Sequence, residues 1–394
     1  MKKIKIIDAI MGSGKTHNAI EKMKKHSGNF IYVTPFLEEV SRIIKNVPSV
    51  IEPMVSYDYD QIEEEYNAVY KRDNLLRSVN KCQNLATTHS LFQKLHKSDY
   101  SFFRNYDLIL DEVITPIKVM SIAPADIKIA LDQGLIIVDE ISGEVTYTGD
   151  EYDGKYYAEL KKYCETANVV YVNDKLLVWV FPPEIFKSFK SVTVLTYLFE
   201  GSLLAAYFKF YNIKFKVNKA SKKQELMAKA KIKTLLNVYN GNNNKIGNSN
   251  YAFSVNWLKN KSTKELKRIS TRIKNLLCRE FKTNSKETCF TTFKAFKSKL
   301  KGAGYSKGFI PVNERATNKY SHKKSMIYLA NRFLNPNIKR FFEQGKIKVN
   351  EDQWALAELV QWVFRGCIRE GKPMNLFIPS KRMRTLFLEW LNES

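Results

Sequence analysis

Short apolar runs bounded by turn-forming residues recur through the first half of the chain. "KIKIID" (3–8), "NFIYVTP" (29–35), "YDLILDE" (106–112) and "SVTVLTYLF" (191–199) each read as a buried strand. Between the first two lies "KTHNAIEKMKKH" (15–26), which reads as a helix that starts directly after a glycine-containing loop. Strand, helix and strand at this spacing predict a parallel sheet with crossover helices.

About 80 residues separate "LILDEV" from "VTVLTYLF", more than one crossover needs. Within them "GLIIVDEISGEVTYTG" (134–149) alternates around Ser142-Gly143 and predicts a hairpin. In the second half, "GNNNKIGNSN" (241–250) has one apolar residue and reads as a loop with freedom to move. "YAFSVNWL" (251–258) is expected to open a second sheet, with "KGFIPVN" (307–313) and "MNLFIPS" (374–380) as further strands. The pattern predicts two α/β lobes in tandem, 1–205 and 206–394, with an accessory insertion over about 115–190 of the first.

A chain of 394 residues, 44% hydrophobic, can build two such cores. Its net charge of +24 is unevenly placed: Lys and Arg against Asp and Glu give −4 over 1–200 and +28 over 201–394. Residues 201–350 hold all of that +28, whereas 101–160 sum to −8. An AT-rich genome would raise lysine everywhere, so the asymmetry points to a polyanion-binding second half and an insertion facing away from nucleic acid. Five scattered cysteines without a CxxC pair argue for a reducing compartment and against a zinc module. The run "MKKIKIIDAI" starts like a secretion signal, but Asp8 interrupts it, and no apolar run reaches membrane-spanning length. A cytoplasmic protein with no membrane partner is expected.

"AIMGSGKT" (9–16) carries the candidate chemistry. Its glycines let backbone N–H groups of Gly12, Ser13 and Gly14 converge on a β-phosphate at a helix N-terminus. Lys15 would reach the β- and γ-phosphates, and the Thr16 hydroxyl would ligate Mg2+. Ala9 stands where the strict pattern has glycine. At the end of a buried strand, Asp111 would complete the magnesium site and Glu112 would take a proton from attacking water. "QWVFRGCIRE" (361–370) spaces Gln361, Arg365 and Arg369 at i, i+4 and i+8, one face of a helix, from which arginines could neutralise transition-state charge.

In this order along the chain, "AIMGSGKT", "YVTP" (32–35), "TTHSLF" (87–92), "LDEV" (110–113), "VLTYLF" (194–199), "VNERATNKY" (312–320) and "QWVFRGCIR" (361–369) resemble the motifs of superfamily 2 helicases, and most nearly the compact helicase-like proteins of bacteriophages. The resemblance implies two RecA-like lobes with ATP in the cleft and a single strand across both. It places Thr34, Pro35, Thr88 and His89 on the nucleic acid, and Arg315, Thr317 and Asn318 in the motif linking the strand and ATP sites. His89 reads equally as a residue of a capped turn. Leu195-Thr196-Tyr197 departs from the family's third motif, Arg365 and Arg369 are one residue further apart than usual, and no glutamine motif marks adenine.

The function expected is an ATP- and Mg2+-dependent helicase or translocase in phage or plasmid replication or recombination. Single-stranded nucleic acid, DNA before RNA, is the expected partner, with replication or recombination proteins on the acidic insertion and the host cytoplasm as the compartment. The alternative is a nucleic-acid-stimulated ATPase of packaging or switch type that separates no strands. "FKAFKSKLKGAGYSKGF" (293–309) interleaves lysines and aromatics as single-strand grooves do, but Phe293 and Phe296 read better as core.

Overall fold

The computed structural model describes residues 3–53, 64–149, 155–166, 168–313 and 318–393. The chain packs as two compact α/β units: Met1–Asp8, Gly14–Asn218 and Asn335–Val349 form one, and Ala9–Ser13, Lys219–Leu334 and Asn350–Ser394 the other. Both are RecA-like: a parallel sheet flanked by helices.

The first unit holds strands β1 (Ile4–Asp8), β2 (Asn29–Thr34), β3 (Val50–Ile51), β4 (Asn84–Thr88) and β5 (Tyr106–Asp111). The insertion follows with β6 (Ile117–Val119), β7 (Ile136–Val138), β8 (Val145–Tyr147), β9 (Asn168–Val172) and β10 (Leu176–Val180), and the chain returns through β11 (Ser191–Thr196) and β12 (Phe215–Lys219). The main sheet has the order β12-β1-β11-β5-β2-β4-β3, and every pair from β1 to β3 is parallel. Five of the six residues of β2 are buried, as expected of a strand covered on both faces. Ala19, Ile20 and Met23 of the helix Lys15–Lys24 and Val40 and Ile43 of Leu37–Asn46 close one of those faces.

In the insertion, β6, β10 and β9 make an antiparallel sheet. The expected hairpin is present as β7 paired with β8. Asp139 Oδ1 nucleates its turn by accepting from Ser142 N and Oγ, both at 2.7 Å, and Gly143 supplies the positive φ of 69°. The helix Pro336–Gln344, far along the sequence, also belongs to this unit: Phe341 stacks on Phe210 at 4.8 Å, and Phe342 meets it edge-on at 5.9 Å.

The second unit is built on β13 (Leu236–Val238), β14 (Thr288–Thr291), β15 (Ser325–Tyr328) and β16 (Met374–Phe377), all parallel, in the order β13-β16-β15-β14. Of the three strands expected here, only 374–380 forms one. "YAFSVNWL" instead turns at Phe253, φ 64°, and becomes the short helix Val255–Lys259, whose first turn is capped by the Ser254 hydroxyl accepting from Trp257 N. Residues 307–313 are reduced to a single bridge, Phe309 to Phe290. Phe296 is buried in this unit's core and Phe293 packs against it, as their spacing suggested.

The asparagine-rich stretch is likewise not a free loop. It forms a 3-10 turn, Asn242–Gly247, in which Asn244 is buried and donates to the Tyr239 carbonyl at 3.1 Å. Gly247 lies so close to the chain that a Cβ there would stand 1.9 Å from the Pro379 carbonyl oxygen. Gly247→Ala is therefore expected to lower stability by about 3 kcal/mol. Urea unfolding would read this directly, and wild-type stability would mean the stretch moves aside freely.

Candidate functional site

Parallel pairing brings the ends of five strands to one edge of the first sheet. The register places Asp8 beside Thr196, Leu195 beside Asp111, Val33 beside Leu110 and Thr34 beside Thr88. Each strand then releases the segment in which the sequence placed a candidate residue, at the edge where open α/β sheets carry their ligands.

The loop after β1 has the backbone its glycines permit. Gly12 and Gly14 take φ 81° and 83°, the left-handed region that side chains strain to enter. Gly14 is the N-cap of Lys15–Lys24 and, being glycine, offers no side-chain oxygen to the first N–H groups of that helix. A helix start of this kind favours an anion. Lys15 and Thr16 occupy its first turn, half-buried.

Asp111 closes β5 and is buried beside Glu112. Burial first, and the Glu112 charge second, push its carboxyl up to about 7, against the opposing hydrogen bond of Tyr32. Tyr32, itself buried in β2, donates to Asp111 Oδ2 at 2.7 Å. Glu112 adopts φ 63°, while its N–H still bonds the Leu195 carbonyl at 2.8 Å. A glutamate held in that region costs about 1 kcal/mol or more. A hydroxyl on one element and a carboxylate on another suit a magnesium ion that keeps phosphate and water as its remaining ligands. Thr16 and Asp111 are the side chains that the sequence reading expected to supply them.

Thr34 ends β2, wholly buried, and its hydroxyl has no hydrogen-bond partner among the described residues; the same is true of Thr196 at the end of β11. Pro35 follows, half-buried. Thr88 caps the short helix His89–Phe92 by accepting from Leu91 N at 3.3 Å. His89 is 8% exposed and its Nε2 lies 3.0 Å from the Asp111 carbonyl, so the capped turn is built and the ring faces inward.

Two residues escaped the sequence reading. Tyr32 looked like ordinary strand core, although a hydroxyl inside an apolar run demands a partner and was the available signal. Asp8 accepts from Leu198 N at 2.8 Å and Phe199 N at 3.2 Å, which fixes the turn after β11 around Leu198, φ 56°.

In the second unit the expected arginine face is corrected. The helix Glu351–Val363 ends at its cap Phe364, leaving Gln361 in the last turn, Arg365 in the following turn and Arg369 on the separate 3-10 turn Cys367–Glu370. At the break Gly366 is extended and packs where a Cβ would stand 2.3 Å from Met374 Sδ, and Cys367 N bonds the Lys323 carbonyl at 3.0 Å instead of continuing the helix. Arg365 is 3% exposed and Arg369 half-exposed. Asn318 opens the 3-10 turn Asn318–Tyr320, while Arg315 and Thr317 lie outside the described residues.

Tyr32→Phe removes the buried donor to Asp111 and nothing else of comparable size. It is expected to lower stability near neutral pH by about 1 to 3 kcal/mol. Thermal unfolding of the two proteins side by side measures it, and equal midpoints would mean that this hydrogen bond contributes nothing.

Two family models match the chain, the YonV middle domain over residues 117–179 and the YonV C-terminal Rossmann-like domain over 230–391. The first coincides with the insertion from β6 to β10, and the second takes in the whole four-stranded sheet. Among solved structures, "Structure of S. tokodaii Xpd4" aligns over 98% of this chain and 94% of its own at 12% identity and TM-score 0.45. "Truncated XPD" aligns over 56% and 95% at 12% identity and TM-score 0.26. The "SPbeta prophage-derived uncharacterized protein YonV" of Bacillus subtilis (strain 168) is 35% identical over 416 residues, which cover 99% of both chains. With both models in place and that identity sustained from end to end, the chain belongs to the YonV family.

Proposed function

We propose that this chain is an ATP-driven nucleic-acid translocase of superfamily 2 helicase type, acting on DNA in a phage setting. The observation that carries the reading is the carboxyl edge of the first sheet. A glycine-bent loop and a helix that starts at a glycine N-cap lie at the end of β1, and the Asp111–Glu112 pair at the end of β5. The prophage-derived relative supports the setting.

In this reading Gly12, Ser13 and Gly14 offer backbone N–H groups to the phosphates, and Lys15 adds a charge-assisted contact. Thr16 and Asp111 would hold Mg2+, which supplies neutralising charge to the phosphates when bound. Tyr32 holds the Asp111 carboxylate in one orientation. Glu112 accepts the proton of the attacking water. Gln361, Arg365 and Arg369 stabilise the charge that develops on the transferred phosphoryl group. Thr34, Pro35, Thr88, His89, Arg315, Thr317 and Asn318 serve the strand, and His89 also ties that edge to Asp111 through its carbonyl.

Steady-state hydrolysis with and without single-stranded DNA, single-stranded RNA and duplex tests the reading, with strand displacement as the second readout. Stimulation without displacement would favour the packaging or switch alternative. Glu112→Gln is expected to bind ATP and not turn it over, whereas Lys15→Ala should lose binding itself. Turnover by Glu112→Gln at the parent rate would remove the assigned base. Arg365→Ala is expected to cut stimulated hydrolysis by about 10³-fold, the scale of an arginine finger, with single-strand affinity in the absence of ATP retained. A parent-like rate would displace the helicase reading.

A further inference from the structure

The helix Thr263–Leu276 of the second unit has two unlike faces. Leu266, Ile269, Ile273 and Leu276 enter the core with Phe290, Phe296 and Ile327, covering one face of the four-stranded sheet. On the opposite arc Lys264, Lys267, Arg268, Arg272 and Lys274 are exposed, and among the described residues none of the five has an ion-pair partner. The helix's one acidic residue, Glu265, is already engaged by Lys261 Nζ at 2.7 Å and by Ser262 N and Oγ at 2.8 and 2.9 Å. Ser270 Oγ donates to the Leu300 carbonyl at 3.1 Å, which sets the short helix Lys297–Leu300 alongside, with Lys294, Lys297, Lys299 and Lys301 exposed. Over residues 261–307 there are fourteen Lys and Arg against three Glu.

The chemistry of this surface narrows its partner. The remaining exposed residues on the helix are Thr263, Thr271 and Asn275, with no apolar or aromatic group to enter a lipid interface or anchor a protein contact. Single-strand platforms need open aromatic faces for the bases, but the neighbouring rings are at least half-buried and faced by lysines: Lys261 over Trp257 at 5.1 Å, Lys297 over Phe309 at 4.8 Å and Lys299 over the buried Phe296 at 5.7 Å. What remains is cations and hydroxyls, which read phosphate alone. A duplex, with its bases stacked inside, presents one charge per about 1.7 Å of axis. From Lys264 to Lys274 the helix rises roughly 15 Å, enough to face about nine of them.

We propose that the exposed face of Thr263–Leu276, with the lysines of 294–301 beside it, binds the phosphate backbone of a nucleic-acid duplex. This surface flanks the face of the second sheet and shares no residue with those assigned to the single strand. It rests on the nucleic-acid part of the proposed function and is independent of the ATP part.

The test uses the full chain with Lys264, Lys267, Arg268 and Arg272 all changed to Ala, and a control in which Lys222, Lys223, Lys231 and Lys233 are changed to Ala. A blunt duplex DNA and a single strand of equal length are titrated by anisotropy across a salt series, with phosphatidylserine vesicles as a third probe. The first variant is expected to lose about 3 to 4 from the log–log salt slope for duplex, while single-strand affinity and single-strand-stimulated hydrolysis stay within about twofold. The control should keep the parental duplex slope. Parental duplex binding by the first variant overturns the proposal. So does an equal loss of single-strand or vesicle binding, or an equal duplex loss in the control. A parent that binds duplex through this face but hydrolyses no ATP would refute the ATPase reading alone. A parent stimulated by single strand that ignores duplex would refute this surface alone.

Discussion

Parallel, in-register pairing of β1, β11, β5, β2 and β4 is the constraint from which the rest of the first unit follows. Strands that run the same way must be joined by crossovers, so their carboxyl ends all open at one edge. Segments more than a hundred residues apart in sequence meet there, and side-chain bonds such as Asp8 to Leu198 N and Phe199 N then fix the turns. The register is unforgiving. A slip of one residue in β2 would turn Tyr32 to the other face of the sheet and take its hydroxyl from Asp111.

The edge thus created is electrostatically uneasy. Asp111 is buried next to a second carboxylate, and its charge is disfavoured enough to raise the carboxyl to about 7. Tyr32 opposes this by donating a hydrogen bond, and Lys15 opposes it by charge, whereas Glu39 adds to it. Such a carboxylate gains more than an exposed one from a divalent cation, because the cation removes a repulsion that the fold itself imposes. Beside it, Glu112 takes the left-handed region and Asp8 accepts from two N–H groups of the turn after β11.

Legibility in the sequence followed the strength of local signals. The four strands of the first half were readable because each is a short apolar run that ends in polar or turn-forming residues, and the hairpin because its alternation brackets Ser142-Gly143. In the second half the decisive features were tertiary. "YAFSVNWL" has strand-like composition, but the Ser254 cap and the turn at Phe253 decide for a helix. β14 and β15, "TCFT" and "SMIY", are four-residue strands without alternation, recognisable only by the neighbours they pair with. Gly247 looks like an ordinary loop glycine, yet it admits a close approach of the Pro379 backbone that a Cβ would block. At the site, the phosphate loop and the acidic pair announced themselves. Tyr32 did not, since a hydroxyl inside an apolar run demands a partner without saying which strand supplies it.

Charge is distributed by unit in a way that neither core requires. The first unit's insertion carries its acids on exposed turns such as Asp139–Gly143, and the second unit's cations crowd the outer arc of Thr263–Leu276. That helix separates two requirements by geometry. Its apolar arc is fixed by the sheet it covers, so the opposite arc is free to vary without disturbing the fold. Random drift over such a face would mix signs, because like charges at i and i+4 destabilise a helix modestly and opposite ones support it. Arg268 and Arg272 stand at that spacing, as do Lys264 and Arg268, on a face with a single acid. The repulsion they impose on the isolated protein is relieved only by bound anions. A periodic polyanion supplies those anions at many positions at once, and releases its own counterions in doing so.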